Sequence, residues 1–244
     1  MKVSIITVCL NSINGLKKTL NSVSQQRYKN IEHIIIDGGS IDGSVEFLKN
    51  QKNIFFISEP DQGLYDAMNK GISFASGKII GFLNSDDIYY DKFVVQNIVD
   101  KFKFNIDGVY GSIVYVDKNN NIKRKWKVLG NYSKGDFLKG WHPPHPSFYV
   151  KKELLDKNKF NTKLSVCADY ELMLKLFEKK NTRWVNMNLY MVRFSCGGIS
   201  NNSYRRIINS FLIYKILKQN GYKQSYLKFI FCRYFCKLLE LKIF

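Results

Sequence analysis

Acidic residues are scarce in this chain: 20 Asp and Glu stand against 38 Lys and Arg over 244 residues, a formal net charge of +18. Such an imbalance implies an anionic partner, which leaves nucleic acid, an anionic membrane and a phosphorylated substrate in play. Cysteine usage is sparse and unpaired. The five cysteines, at positions 9, 167, 196, 232 and 236, form no Cys-x-x-Cys pair and are odd in number, which argues against a disulfide framework and a structural zinc site and favours a reducing compartment. Long apolar runs are lacking as well. No stretch approaches the roughly 20 residues that a bilayer-spanning helix needs, and the run from Val3 to Leu10 is too short and too weakly preceded by charge for a secretory signal. The reading is a cytoplasmic protein, with the inner face of the cell membrane as a surface it can lie on. Internal repeats and low-complexity segments are also missing. What is present is ample core material: 45% of residues are hydrophobic and 15% aromatic, enough for one large α/β domain or two small ones.

Apolar segments alternate with polar loops and helical spacing. Lys2 to Val8 reads as a buried strand, followed by the break Asn11-Ser-Ile-Asn-Gly15 and a helix around Leu16 to Gln26. A second unit has the strand Ile31 to Ile36, the loop Asp37-Gly-Gly-Ser-Ile-Asp-Gly-Ser44 and a helix from about Val45. A third has the strand Ile54 to Ser58, the loop Glu59-Pro-Asp-Gln-Gly63 and a helix over Tyr65 to Ser76; the strand Lys78 to Leu83 then reaches Asp86-Asp87. This alternation predicts a doubly wound, mostly parallel sheet. Its polar residues follow the strands, so Asn11, Asp37, Asp61, Asp86 and Asp87 gather along the edge where open α/β sheets bind ligands.

Gly81-Phe-Leu-Asn-Ser-Asp-Asp87 ends an apolar strand in two carboxylates with no basic neighbour in sequence. Hard oxygen ligands at that edge suit a divalent metal with a phosphate, although Asn, Ser and Asp are also ordinary turn residues. Asp42, in Asp-Gly, reads as a turn residue. Asp37 reads as a binding residue, because two glycines follow it and admit a ligand close to the backbone. Asp66 and Lys70 have the spacing of a surface ion pair on a helix.

The later chain is less regular. Gly108 to Asp117 and Ile122 to Leu129 read as strands joined by the hairpin loop Asn119-Asn-Asn121. Three of the four prolines lie in Gly140-Trp-His-Pro-Pro-His-Pro-Ser-Phe-Tyr-Val150, a rigid extended path that also carries His142 and His145. Helical spacing returns at Ala168 to Lys180. From Tyr204 to Phe244 nine Lys and Arg face the single Glu240, and Leu227, Ile230, Phe231, Tyr234, Phe235, Leu238 and Leu239 follow an amphipathic stripe. Such a tail either packs on the body or lies on a membrane surface.

Taken together, Ser4 to Asn11, Ile36 to Gly43, Asp61-Gln-Gly-Leu-Tyr-Asp-Ala-Met-Asn-Lys-Gly71, Phe82 to Asp87 and Ala168-Asp-Tyr-Glu-Leu172 resemble family 2 glycosyltransferases, in order and in spacing. The resemblance covers roughly the first 200 residues. It implies a GT-A fold: residues 1–203 as the transferase domain, with a nucleotide-sugar half (1–115) and an acceptor half (116–203), before a basic helical tail (204–244). It implies inverting transfer from a nucleotide-diphosphate sugar, a UDP-sugar foremost, with Mn or Mg. The acceptor would be a glycan or lipid-linked sugar of surface-polysaccharide synthesis, of the capsule, O-antigen or colanic-acid type.

The same resemblance assigns roles. Asp87 matches the metal ligand, with Asp86 sharing that site or meeting the ribose. Asp37 matches the acid that bonds the base, and Val8, Leu10 and Asn11 match the loop that lines the nucleoside pocket. Asp61 matches an acid around the donor. Asp169 matches the general base, which inversion by direct displacement requires, with Glu171 as the fallback and helix-terminus stabilisation as the bland alternative. His145 fits the histidine that precedes the base on the acceptor side. Gly197 to Ser200 resembles a closing loop. Thr182-Arg-Trp184 lacks the Gln-x-x-Arg-Trp context of processive synthases, so a single addition per encounter is expected. Two other readings stand beside this one. A nucleotidyltransferase also uses metal carboxylates on an α/β sheet, but Asn11 to Lys17 lacks a glycine-rich phosphate loop with a basic residue. A basic nucleic-acid-binding protein would exploit the charge, but no recognition helix or aromatic platform is visible.

Overall fold

The structure, a computed structural model, describes residues 1–195 and 203–241, apart from the side chains of 203–206 and 236–241. All seven residues of β1 (Val3–Cys9) are buried, Ser4 and Thr7 among them, as expected of a strand with helices over both faces of its sheet. There follow α1 (Ile13–Ser24), β2 (Ile31–Asp37), α2 (Ser44–Lys49), β3 (Phe55–Ser58), α3 (Leu64–Phe74) and β4 (Ile79–Phe82). Strands β3, β2, β1 and β4 pair in that order and all in parallel, as the alternation predicts.

The second half breaks the parallel rule. It comprises β5 (Ile88–Tyr89), α4 (Val94–Phe102), β6 (Gly108–Val116), β7 (Ile122–Trp126), β8 (Tyr149–Lys151), α5 (Lys152–Lys157), α6 (Ala168–Phe177) and β9 (Trp184–Ser195). The sheet continues from β4 through β8, β6, β9 and β5, with β8 antiparallel to both neighbours and β9 parallel to β6. The expected hairpin is β6–β7, an antiparallel pair closed by 117–121. Gly81 of β4 lies opposite Tyr149 of β8, whose ring fills the space a side chain at 81 would occupy.

Alternate residues of the strands feed two layers. Ile6, Val8, Ile34 and Ile36 pack with α3 and α6, whereas Ile5, Cys9 and Ile35 face the side of α1, α2 and α4. The tail is helical but divided, into α7 (Ser203–Gln219) and α8 (Tyr226–Leu241), with the break at Gly221 (φ +86°). Its buried face differs from the expected stripe. Ile213, Ile216, Leu217 and Phe229 join the core beside α6, while Leu227, Phe231, Tyr234 and Phe235 remain exposed. The cause is that α8 is apolar over a wider arc than the body covers. Among the described residues no helix is long and apolar enough to cross a membrane.

Candidate active site

The loops after β1 and β2 are stitched to one another. Asn11 adopts a left-handed backbone (φ 49°), accepts a bond from Ile41 N at Oδ1 (2.9 Å) and donates its own N–H to Ser40 Oγ (2.8 Å). Asp42 is the turn residue its sequence predicts: Oδ1 accepts from Ser44, and Oδ2 reaches across to Ile13 N, the first residue of α1 (2.8 Å). Asp37 is fully buried. Its Oδ2 accepts from Gly39 N, Ser40 N and Ser58 Oγ, and its Oδ1 from Ser40 Oγ. These four bonds match the roughly four that a carboxylate can accept, so the group is committed to bracing the loop.

Val8 is buried at the end of β1 and Leu10 stands out from it, exposed. Gly38 lets these loops approach Asp61: a Cβ there would lie 2.6 Å from Asp61 Oδ2 and 3.4 Å from Leu10 Cδ1. Asp61 Oδ1 accepts from Gly63 N (2.8 Å), which fixes the turn into α3. Asp66 pairs with Lys70 on that helix at 3.7 Å, as its spacing predicts.

The two adjacent aspartates point in different directions, and Asp86 has a left-handed backbone (φ 78°). Asp87 turns inward, where it is buried and accepts a bond from Ser195 N (3.1 Å). Burial pushes its carboxyl well above the ordinary range; the Ser195 bond opposes that shift, and the charge of Asp86 adds to it. Asp86 stays half-exposed beside Ser12 Oγ (3.4 Å) and Lys18 Nζ (3.7 Å). The sequence gives the pair no basic neighbour; the fold supplies Lys18. A cavity of about 420 Å³ opens at this point, with Lys18, Lys92, Lys118 and Arg193 among its lining residues.

Asn84 Oδ1, in the same loop, is buried with no hydrogen-bond partner. An orphaned amide oxygen and two carboxylates in one loop are hard oxygen donors, the chemistry that suits Mg or Mn, although the two carboxylates diverge. Among the described residues no three His, Cys, Asp or Glu side chains converge as a metal cage. A cation here would therefore take its remaining ligands from a diphosphate or from water, as Mg sites commonly do.

The third part of the site joins residues far apart in the chain. Asp169 lies in the first turn of α6, after Cys167, which is left-handed (φ 65°). Tyr65, in the first turn of α3, donates its hydroxyl to Asp169 Oδ1 at 3.0 Å, and His145 Nδ1 lies 3.6 Å from Asp169 Oδ2. Burial, reinforced by the charge of Asp169, pushes the Tyr65 phenol up, so it stays a donor. Burial pulls His145 down against the opposing influence of Asp169, which favours the neutral ring. His145 Nε2 is itself buried without a partner.

The other sequence candidates lie elsewhere. His142 packs edge-on against Trp126 and Tyr170. Glu171 is buried and paired with Lys175 (2.9 Å), and Trp184 stacks on Phe177 at 4.3 Å. Gly197 to Ser200 lies outside the described residues. Tyr65, Ser12, Lys18 and Arg193 were not singled out by sequence reasoning. For Tyr65 the signal was present, since it sits within the Asp61–Gly71 motif.

Residues 4–163 match the family model described as glycosyl transferase family 2. An uncharacterized glycosyltransferase of Mycobacterium tuberculosis is 48% identical over 101 residues, 40% of this chain. The chain spans only 38% of that relative's length. The Escherichia coli UDP-Glc:alpha-D-GlcNAc-diphosphoundecaprenol beta-1,3-glucosyltransferase WfgD is 27% identical over 211 residues, covering 84% of this chain and 82% of its own. Among solved structures, S. aureus TarS 1-349 in complex with UDP-GlcNAc aligns with TM-score 0.68 at 15% identity, over 96% of this chain and 70% of that one. The Pyrobaculum calidifontis mannosyltransferase PcManGT, in complex with GDP-Man and Mn2+, aligns with TM-score 0.66 at 14% identity, over 95% and 68%. At these identities the structural likeness establishes a shared fold, of the GT-A kind.

Proposed function

Because the chain belongs to glycosyltransferase family 2, we propose that it moves a sugar from a nucleotide-diphosphate sugar, a UDP-sugar foremost, to a hydroxyl of a lipid-linked or oligosaccharide acceptor in surface-polysaccharide synthesis, with inversion. The observation that carries this reading is the bond from Tyr65 to Asp169, which ties the proposed base to the helix that follows the Asp61 loop. WfgD supports the donor and the lipid-linked acceptor class by its name, and PcManGT supports a cation.

In this reading Asp169 takes the proton of the acceptor hydroxyl as its oxygen bonds to the anomeric carbon. The carbon–oxygen bond to the diphosphate breaks, and its electron pair leaves on the nucleoside diphosphate. Tyr65 and His145 hold the Asp169 carboxylate from two sides. Asp86 and Asp87 would hold Mn or Mg. When bound, the cation offsets charge on the departing diphosphate as a Lewis acid. Val8, Leu10 and Asn11 line the nucleoside, and Asp37, the acid assigned to the base, braces the loop on that side. Asp61 stands at the donor's edge. The protein works at the inner face of the membrane, where a lipid-linked acceptor resides.

A panel of sugar nucleotides with Mn tests the donor, since a bound donor raises the melting temperature by mass action. Asp169→Asn keeps that rise and loses at least about a hundredfold in transfer, the scale of general-base catalysis. Transfer near wild type in this variant overturns Asp169 as base. Release of pyrophosphate in place of nucleoside diphosphate identifies a nucleotidyltransferase instead.

A further inference from the structure

Helix α8 has two apolar faces, and the body uses one of them. Phe229 and Arg233 turn inward and are buried, with Arg233 packed against Gly140 so closely that a Cβ there would lie 2.6 Å from it. Leu227, Phe231, Tyr234 and Phe235 turn outward over an arc of about 100°, and Leu227 and Phe231 are 80% and 71% exposed. On α7 the exposed Ile207, Ile208 and Phe211 share a face with the exposed Lys215 and Lys218. The two helices meet where Phe211 and Tyr214 touch Tyr226. From 204 to 239 the sequence has no Asp or Glu.

We propose that the outer face of α7 and α8 is the surface by which this protein lies on an anionic bilayer, with Leu227, Phe231 and Phe235 entering the headgroup–acyl boundary. Charge selects this occupant over a second copy. A twofold dimer on the same face would bring Lys215, Lys218 and Lys228 of one copy up to the same lysines' face on the other, whereas anionic headgroups complement them. Large apolar side chains beside lysines, on a helix too short and too charged to span, are the composition of an interfacial helix. The helices that carry this face also adjoin the proposed base, because α7 packs on α6, which carries Asp169, and α8 packs on the turn at 136–139. As an account of how the acceptor is reached, the proposal rests on the lipid-linked acceptor proposed above; the contact itself does not.

Deleting the tail would uncover the core that Phe229 fills, so the test uses exposed positions in the full chain. Wild type and the triple variant Leu227→Ser/Phe231→Ser/Phe235→Ser are floated with phosphatidylcholine vesicles, with and without phosphatidylglycerol, in the absence of any sugar substrate. Wild type binds the anionic vesicles in a salt-sensitive manner. The triple variant, with an unchanged melting temperature and unchanged transfer to a soluble acceptor, binds at least about tenfold more weakly, as expected for lost apolar insertion. Equal flotation of the two proteins overturns the proposal, as does failure of wild type to float. A wild-type dimer that the triple variant converts to monomer assigns the face to a second copy. Vesicle binding without sugar transfer leaves the docking intact and refutes the catalytic reading alone.

Discussion

Gly81→Ala is the smallest change that tests how the sheet positions the site. An alanine Cβ at 81 would lie 2.0 Å from Cε1 and 2.5 Å from Cζ of Tyr149, inside any real contact distance. The ring has no easy retreat. Tyr149 is fully buried, lies directly opposite Gly81 in the β4–β8 register, and shares a 2.7 Å hydrogen bond with Tyr89. Overpacking of this kind costs about 1–3 kcal/mol. If the ring swings away it also breaks the buried hydroxyl pair, for about 1–3 kcal/mol more. The sum, about 2–6 kcal/mol, is a large fraction of the ~5–15 kcal/mol that holds a domain together. At about 2–4 °C per kcal/mol for a chain of this size, the melting temperature falls on the order of 5–20 °C. The assay is a double-mutant cycle with Tyr149→Val, read by thermal unfolding. Removing the ring restores room, so Gly81→Ala becomes nearly neutral in the Tyr149→Val background. The reasoning is refuted if the glycine change melts within a degree of wild type, or if its penalty is the same in both backgrounds. Because β4 delivers the Asn84–Asp87 loop, donor-induced stabilisation falls along with the melting temperature.

Two further outcomes follow from single contacts. Tyr65→Phe removes one hydrogen bond to a carboxylate, worth about 1.5–3 kcal/mol, so kcat drops about ten- to a hundredfold while donor-induced thermal stabilisation is unchanged; a matching loss of donor affinity would contradict Tyr65 as a positioning residue for the base. His33 is buried against Thr7 Oγ1, and burial lowers its pKa from the ordinary 6.5 to about 3. Between those values the unfolded chain holds the extra proton, so stability is full above pH 6.5 and is lost as pH falls, by about 1.4 kcal/mol per unit. His33→Gln flattens that slope between pH 6 and 4 in urea titrations, and an unchanged slope shows that His33 is not the group responsible.

The parts of the fold that were legible before the structure are those whose signal is local. β1, β2 and β4 are short, mostly apolar segments rich in Ile and Val and closed by polar loops, which suits buried strands. β9 escaped because Trp184–Ser195 has no steady alternation: Asn188 is left-handed (φ 52°), and the ladder with β6 shifts register twice. Its consequence for the site is direct, since its last residue, Ser195, is what closes over Asp87. Asp169 and His145 were recognisable from a family pattern, whereas Tyr65, 104 residues from Asp169, could be paired with it only by folding. Likewise, Asp86 and Asp87 read as one unit in sequence. The fold separates them into a solvent-facing and a buried carboxylate, and no composition rule anticipates that.

The stitching between the first two loops has a consequence for how such an enzyme could change. Asp37, Asp42, Asn11 and Ser40 carry the bonds that hold those loops, while Leu10 and Ile41 project from them, 58% and 92% exposed. Substitutions at the two projecting positions change the surface that these loops present, which on the function proposed above includes the nucleoside's surroundings at Leu10, without unpicking the loops themselves. What the loops display and what holds them are thereby placed on different residues, and drift in the first need not endanger the second.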